Sequence, residues 1–128
     1  MSAVSASDEA ALLAANEAFY AAFNARDAEA MAAVWVRSAP AVCIHPGWNI
    51  LSGIDEVLAS WQAILTNPNQ PRIVSGGASA RILGETGIVV CRELVSGNPL
   101  AATNIFIRED GAWRMLHHHS SPVMQISG

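Results

Sequence analysis

The stretch that decides the fold is ATNIFIREDGAWRMLHHHSSP, residues 102–122. Two runs rich in β-branched and aromatic residues flank an Asp-Gly dipeptide, which favours a tight turn between antiparallel strands. The second run ends in three consecutive histidines, His117, His118 and His119. Because successive side chains of a strand point to opposite faces, His118 must face away from the other two. Whichever face of this closing hairpin is buried, the sequence predicts an imidazole on it.

The rest of the chain divides near Pro71 into an alanine-rich helical part and a β-branched part. Apolar residues recur at helical spacing in three segments, which predicts helices over 8–25, directly after Asp27 and over 54–66. Ser7 and Asp27 are the predicted N-caps of the first two helices. Runs of β-branched residues between turn signals predict strands over 41–44, 72–83, 87–95, 101–108 and 113–120. Gly76 and Gly77 predict a bulge or bend within the second strand.

This order of elements predicts the fold class. Because helices come first and an antiparallel meander follows, we expect an α+β fold in which a cone-shaped, curved antiparallel sheet wraps around the N-terminal helices. A cone of this kind has an open end and an internal pocket, where small ligands usually bind. The length of 128 residues predicts one domain over 1–128, with 1–7 flexible.

The composition excludes several classes of partner. The net charge is −4 and all seven cationic side chains are arginine, so the basic stripe that nucleic-acid binding needs is missing. The sequence also predicts neither a membrane span nor a secretory signal, and we expect a cytoplasmic protein with no membrane partner. Only 14% of the residues are charged whereas 52% are hydrophobic, which predicts that a second copy covers apolar surface in a homodimer. Cys43 and Cys91 lie in apolar runs and are expected to be buried free thiols.

Several short motifs follow one another in an order found in a known superfamily. They are Phe19-Tyr20 and Arg26-Asp27, then Trp35, CIHPGW over 43–48, Ser52-Gly53 before an apolar helix with Trp61, and DGAW over 110–113. Together they resemble the nuclear transport factor 2-like superfamily, which includes ketosteroid isomerases, SnoaL-like polyketide cyclases and the association domain of calmodulin-dependent kinase II. The similarity covers nearly the whole chain. It implies a cone-shaped α+β barrel with an internal pocket, usually dimeric through the outer face of the sheet.

The resemblance also implies where catalytic groups would lie. In ketosteroid isomerases a general-base aspartate precedes a proline at the end of the first strand, and His45-Pro46 looks like the matching position. The spacing of the isomerases' oxyanion tyrosine lands on Phe19, which cannot donate a hydrogen bond. Their second oxyanion acid lies near Thr103 and Asn104, neither of which is a carboxylic acid. Steroid isomerisation is therefore not expected.

His45 is the first candidate catalytic residue. It ends an apolar strand, and the reference pKa of imidazole, about 6.5, would let it abstract a proton near neutral pH. The alternative interpretation is a structural histidine whose ring nitrogens bind nearby backbone and shape the turn.

His118 is the second candidate. In the related folds even-numbered positions of this strand tend to line the cavity, which selects Leu116, His118 and Ser120. His117 and His119 would then lie outside with Trp113 and Met115, at a possible dimer contact, although a bulge at Asp110-Gly111 would reverse this assignment. A metal site built on His117 and His119 lacks a supporting carboxylate or cysteine, so we expect no metal and no cofactor.

Glu93 and three tryptophans complete the predicted pocket. Glu93 shares strand parity with Val89 and Cys91, so it should point inward, either beside a pocket histidine or in a salt bridge across a dimer. Trp35, Trp48 and Trp61 would form an aromatic wall or simply pack in the core. The predicted site therefore has His45 and His118 as catalytic residues. Its predicted lining residues are Phe19, Trp35, Trp48, Trp61, Glu93, Asn104 and Ser120.

Two functions follow from these residues. The first is a pocketed SnoaL-like domain that binds a small apolar or cyclic molecule and acts, without cofactor, as an isomerase, dehydratase or cyclase through histidine acid–base chemistry. The second is a non-catalytic ligand-binding or oligomerisation module of the kinase-association type. The imidazoles favour chemistry, whereas the missing oxyanion donors favour binding alone.

Overall fold

Three helices accompany the sheet in the computed structural model, which describes residues 6–124. They are α1 Ala6–Ala25, α2 Ala28–Val34 and α3 Ile54–Thr66. Asp27 caps α2 as predicted, since its carboxylate accepts from the backbone N–H of Ala30 at 3.0 Å. Ser7 is not an N-cap, because α1 already begins at Ala6 and Ser7 lies in its first turn. Residues 6 and 7 of the predicted flexible segment are thus helical, and the remainder, 1–5, lies outside the described residues.

The strands form one curved, open, six-stranded sheet. They are β1 Val42–Ile44, β2 Leu51–Ser52, β3 Ile73–Leu83, β4 Thr86–Val95, β5 Asn98–Glu109 and β6 Ala112–Pro122. Their order across the sheet is β2-β1-β6-β5-β4-β3, antiparallel throughout except that β1 runs parallel to β6. The prediction of an α+β fold with a curved sheet and N-terminal helices is confirmed. The two-residue β2 was not predicted, because so short a segment carries no hydrophobic period.

The predicted irregularity at Gly76-Gly77 is present in β3. The register of β3 against β4 shifts between Gly76 and Ser79, and Gly77 has a φ of 64°. Such a left-handed conformation costs glycine little, so the strand can bend there and curve the sheet.

A second bulge, at Leu116, changes which residues of β6 face inward. Phe106 pairs with Met115 and Ile105 with His117, so Leu116 is an extra residue without a partner. The prediction that Trp113 and Met115 lie outside is wrong: both are buried in the core, whereas Leu116 is only partly buried. Before the bulge the odd-numbered residues of β6 face inward. The extra residue shifts the alternation by one, so beyond the bulge the even-numbered His118 and Ser120 are buried.

Helix α1 packs on the inner face of the sheet, and its Leu12 lies directly against β4. A Cβ atom on Gly87 would lie 2.7 Å from both terminal methyl carbons of Leu12, so any larger residue there would require the Leu12 side chain to move. Glycine at this position therefore allows the close approach of helix and strand. Further along β4 the side chains of Val89, Cys91 and Glu93 alternate inward, as their shared parity predicts.

The two cysteines are buried free thiols, as predicted. Burial raises the pKa of the Cys43 thiol to about 12, so it is not a nucleophile near neutral pH. Over residues 6–124, none of the helices is both long and apolar enough to span a membrane.

Candidate functional site

A cavity of about 690 Å³ opens at one end of the cone, between the inner face of the sheet and the helices. Its size falls within the range of small-molecule sites. Five predicted site residues line it: His45, Trp48, Trp61, Glu93 and His118. The other lining residues are Phe23, Pro46, Ala63, Ile64, Asn67, Gln70, Ile73, Val95, Asn98, Pro99, Leu100, Pro122 and Val123.

His45 is fixed in the wall by α3. Its Nε2 lies 2.9 Å from the hydroxyl of Ser60, and that hydroxyl donates to the backbone carbonyl of Val57 at 2.6 Å. A hydroxyl that donates its only proton to a carbonyl must accept from the imidazole, so the network assigns the proton to Nε2. Nδ1 keeps its lone pair, and its one hydrogen-bonding neighbour within residues 6–124 is the Cys43 thiol, at 3.9 Å.

The environment of His45 makes it a neutral imidazole. Burial lowers its pKa from the ordinary value of 6.5 to about 4. The ring packs edge-on against Trp48 and Trp61, with centroid distances of 4.8 and 4.6 Å, and these apolar rings exclude the water that would solvate a charged form. His45 is therefore a weaker base than its reference pKa suggests, although it is in the proton-accepting form at pH 7.

A hydrogen bond also fixes the ring of His118, in this case from a strand of the sheet. Its Nδ1 lies 2.6 Å from Asn104 Oδ1 on the neighbouring strand β5. The amide nitrogen of Asn104 donates to Asn16 Oδ1 at 2.8 Å and to the Tyr20 hydroxyl at 3.2 Å, which leaves Oδ1 as the acceptor. His118 therefore carries its proton on Nδ1 and has a lone pair on Nε2, which has no hydrogen-bond partner in the described part of the chain.

His118 is neutral for two reasons. Complete burial is the main cause, and the charged forms of His45, His117 and His119 would repel a charge on His118, so its pKa falls to about 3. The parallel pairing of β1 with β6 places Cys43 level with His118, which brings the end of β1 and its His45 towards the same cavity. Two neutral histidines thus share one wall.

Glu93 ends a chain of buried hydrogen bonds. The Tyr20 hydroxyl donates to Glu93 Oε2 and the Ser120 hydroxyl to Oε1, each at 2.6 Å. Burial and the negative charge of Glu93 both raise the pKa of Tyr20, so the phenol keeps its proton. The prediction of an inward Glu93 is correct, but its partners are hydroxyls. Within residues 6–124 its hydrogen-bonded link to His118 runs through Tyr20 and Asn104.

Four predicted lining residues lie behind the wall of the cavity. Asn104 and Ser120 hold His118 and Glu93 from behind, as the hydrogen bonds above show. Phe19 packs against the rings of His118 and Trp61, with centroid distances of 4.8 and 5.4 Å. Trp35 is wrong as a lining residue: it is fully buried in the core and bridges Met115, on the part of β6 before the bulge.

Three residues of this network were missed from the sequence: Asn16, Tyr20 and Ser60. Asn16 and Tyr20 are four apart on a helix whose buried face is otherwise apolar, and Ser60 follows Val57 by one turn. Polar residues on an apolar helix face require buried partners. That pattern was the available signal, but the partners lie on distant strands and the sequence does not identify them.

No group of three or more histidine, cysteine, aspartate or glutamate side chains suited to a metal ion occurs among residues 6–124. His119 is exposed and His117 half-buried, on the opposite face of β6 from the cavity.

Comparisons with known proteins agree with this architecture. The SnoaL-like domain family matches residues 12–125. The crystal structure of a candidate dehydratase of the NTF2-like family from Streptomyces avermitilis is 30% identical and superposes with a TM-score of 0.87, covering 93% of this chain and 98% of that one. A candidate calcium/calmodulin-dependent protein kinase type II association domain from Thiobacillus denitrificans is 33% identical with a TM-score of 0.78, over 88% and 94% of the two chains.

Among curated proteins, the F-box protein SKIP8 of Arabidopsis thaliana is 32% identical over 116 residues. That match covers 89% of this chain but 50% of the plant protein, so the chain spans about half the length of this relative. Because the family match covers most of the chain, as the superfamily resemblance predicted, the protein belongs to the SnoaL-like domain family.

Proposed function

We propose that the cavity binds a small apolar or cyclic molecule and that His45 and His118 accept a proton from it, in a cofactor-independent isomerisation, dehydration or cyclisation. One observation carries the proposal. Each histidine has one nitrogen bound as a donor to a fixed protein acceptor, which leaves the other nitrogen with a lone pair, and both side chains line the same cavity.

The geometry supports proton acceptance more than proton donation. A neutral imidazole held in one tautomer is ready to accept a proton without first reorganising. The hydroxyls of Tyr20, Ser60 and Ser120, in contrast, all donate to protein acceptors. A reaction that begins by removing a proton from carbon therefore suits the site. The similarity to a candidate dehydratase is compatible with this class of reaction.

The test measures proton removal directly, with the bicyclic ketone 2-tetralone in deuterated buffer. We expect the protein to accelerate exchange of the hydrogens next to the carbonyl, observed by proton NMR. His45→Gln and His118→Gln should each reduce this acceleration about 100-fold, the usual contribution of a general base. The matched control is His119→Gln, an exposed histidine of the same strand, which should exchange like the unmodified protein.

The second candidate function is a non-catalytic binding or oligomerisation module, favoured by the similarity to a kinase association domain and by the engaged hydroxyls. It predicts that 2-tetralone binds, as shown by shifted tryptophan indole NMR signals, while exchange stays at the buffer rate. That result would reject the catalytic proposal.

We also propose a cytoplasmic homodimer. The outer face of the sheet exposes large apolar side chains, including Val74 and its cross-strand partner Leu94. Pairing two such faces would remove this apolar area from water. Sedimentation equilibrium should give twice the chain mass and Leu94→Glu the single mass; a monomeric unmodified protein would contradict the dimer.

A further inference from the structure

The cavity wall contains a buried carboxyl group, Glu93, whose two oxygens each accept a hydrogen bond from a hydroxyl, as the oxygens of an ionised carboxylate do. Glu93 is 2% exposed, and it is the one aspartate or glutamate among the lining residues described, which include no arginine. None of the ion pairs within residues 6–124 involves it. Its partners Tyr20 and Ser120 are neutral hydroxyls. A buried charge without a counter-ion is costly, so a cation that entered the cavity would be strongly favoured there.

The free hydrogen-bonding capacity of Glu93, His45 and His118 also consists of acceptors. A carboxylate has about four lone-pair positions, of which Tyr20 and Ser120 occupy two. The lone pairs of His118 Nε2 and His45 Nδ1 add two more acceptor atoms. Both histidines are neutral, so neither repels a positive charge. A ligand that forms hydrogen bonds with these three side chains must therefore bring donors.

The remaining wall suits the apolar body of such a ligand. Trp48 and Trp61 line the cavity beside His45, and Phe23 and Ile64 lie on the helical side. Indole rings also attract cations through their negative faces, and this attraction grows when water is excluded. Charge, hydrogen-bonding capacity and aromatic surface thus all favour the same kind of molecule.

We infer that the cavity takes a small molecule with a cationic amine on an apolar, ring-containing body, the ammonium group donating to Glu93. This inference rests on the proposed function, because it assigns the charge of the ligand that the same cavity would bind. An ammonium group supplies up to three donors, enough for the carboxylate and a neighbouring histidine.

The test compares three probes with the same bicyclic body: 2-naphthylmethylamine, 2-naphthalenemethanol and 2-naphthoate. Isothermal titration calorimetry near neutral pH should show that the amine binds at least about tenfold more tightly than the alcohol, as expected for a hydrogen bond between charged groups. The carboxylate probe should bind most weakly. Glu93→Gln should remove the preference for the amine over the alcohol.

Glu85→Gln is the matched control, since it removes one negative charge from an exposed side chain outside the lining residues. It should keep the preference for the amine. A second measurement does not depend on how Glu93→Gln folds: the carbon NMR signal of the Glu93 carboxyl in the unmodified protein should shift when the amine is titrated and not when the alcohol is.

Equal binding of amine and alcohol, or loss of the preference in Glu85→Gln as well, would overturn the cationic ligand and leave the cavity as a binding site. An unshifted Glu93 carboxyl signal in the presence of bound amine would overturn it too. If none of the three probes binds, the inference fails together with the proposal that the cavity binds small molecules. If the protein accelerates 2-tetralone exchange but does not prefer the amine, the proposed function stands and only the cationic ligand is rejected.

Discussion

The inner face of the sheet has two halves of opposite chemical character. In the closed half, Phe106 pairs with Met115 beside Trp113, and all three are buried among apolar neighbours. In the open half, Asn104 pairs with His118, and Ser120 and Glu93 follow towards the cavity. Both halves are equally buried, so exposure does not distinguish them. They differ in the polarity of their buried side chains.

The two halves therefore contribute differently to the stability of the fold and to its function. Apolar burial in the closed half stabilises the fold by about 25 cal/mol for each Å² removed from water. Buried polar groups in the open half contribute little net stability even when every hydrogen bond is made, and they are destabilising when one is lost. A chain that places a carboxylate, an amide and two histidines in its interior is thus poorly explained by stability alone. The open half has the properties of a site.

The largest effect is expected in the closed half. Phe106→Ala should lower the free energy of unfolding by about 3–5 kcal/mol, because it removes a fully buried ring and leaves a cavity. Urea denaturation followed by tryptophan fluorescence measures this loss. The control is Ile50→Ala, an exposed side chain in the loop before β2, expected to cost under about 0.5 kcal/mol. A similar loss in both variants would mean that the closed half is not the stabilising part.

The pH dependence tests the open half next. Unfolded histidines titrate near 6.5, whereas the folded pKa of His45 is lowered to about 4 and that of His118 to about 3, mainly by burial. Between these values the unfolded chain binds more protons, so stability is fully present above pH 6.5 and falls as the pH is lowered towards 4. Each histidine contributes a slope of about 1.4 kcal/mol per pH unit.

Urea midpoints measured between about pH 7 and pH 4.5 determine that slope. His118→Gln should reduce it by about one proton, whereas His119→Gln, an exposed neighbour, should leave the contribution of the two buried histidines in place. An unchanged slope in His118→Gln would show that this imidazole is protonated in the folded protein.

A smaller effect is expected when the polar network itself is interrupted. Asn104→Ala removes the partners of His118 Nδ1 and Asn16 Oδ1 and should cost about 1–3 kcal/mol. It should also let the His118 ring populate both tautomers, which nitrogen NMR of the imidazole detects. Thr103→Ala, the half-buried neighbour on the other face, is the control. If Asn104→Ala costs nothing and the tautomer is unchanged, water or another group can replace the amide.

Much of the fold followed from local patterns. The bounds of α3, the Asp27 cap and the bulge at Gly76-Gly77 each depend on residues close together in the chain, so propensity and turn chemistry predicted them. Local patterns did not predict which face of β6 is buried before the bulge, because the bulge at Leu116 arises only from pairing with β5. Strand parity is opposite on the two sides of a bulge, so Trp113 and Met115, which precede the bulge, were assigned to the wrong face.

The sequence by itself determined the α+β class, the inward position of Glu93 and the presence of an imidazole on the buried face of the last strand, because these follow from periods of 3.6 and 2 residues. Only the tertiary structure decided that His45 and His118 share a cavity, which nitrogen of each carries the proton and why both are neutral. Those properties depend on Ser60, Asn104 and Tyr20. Their contacts join elements far apart in the chain, and a single sequence does not record such distances.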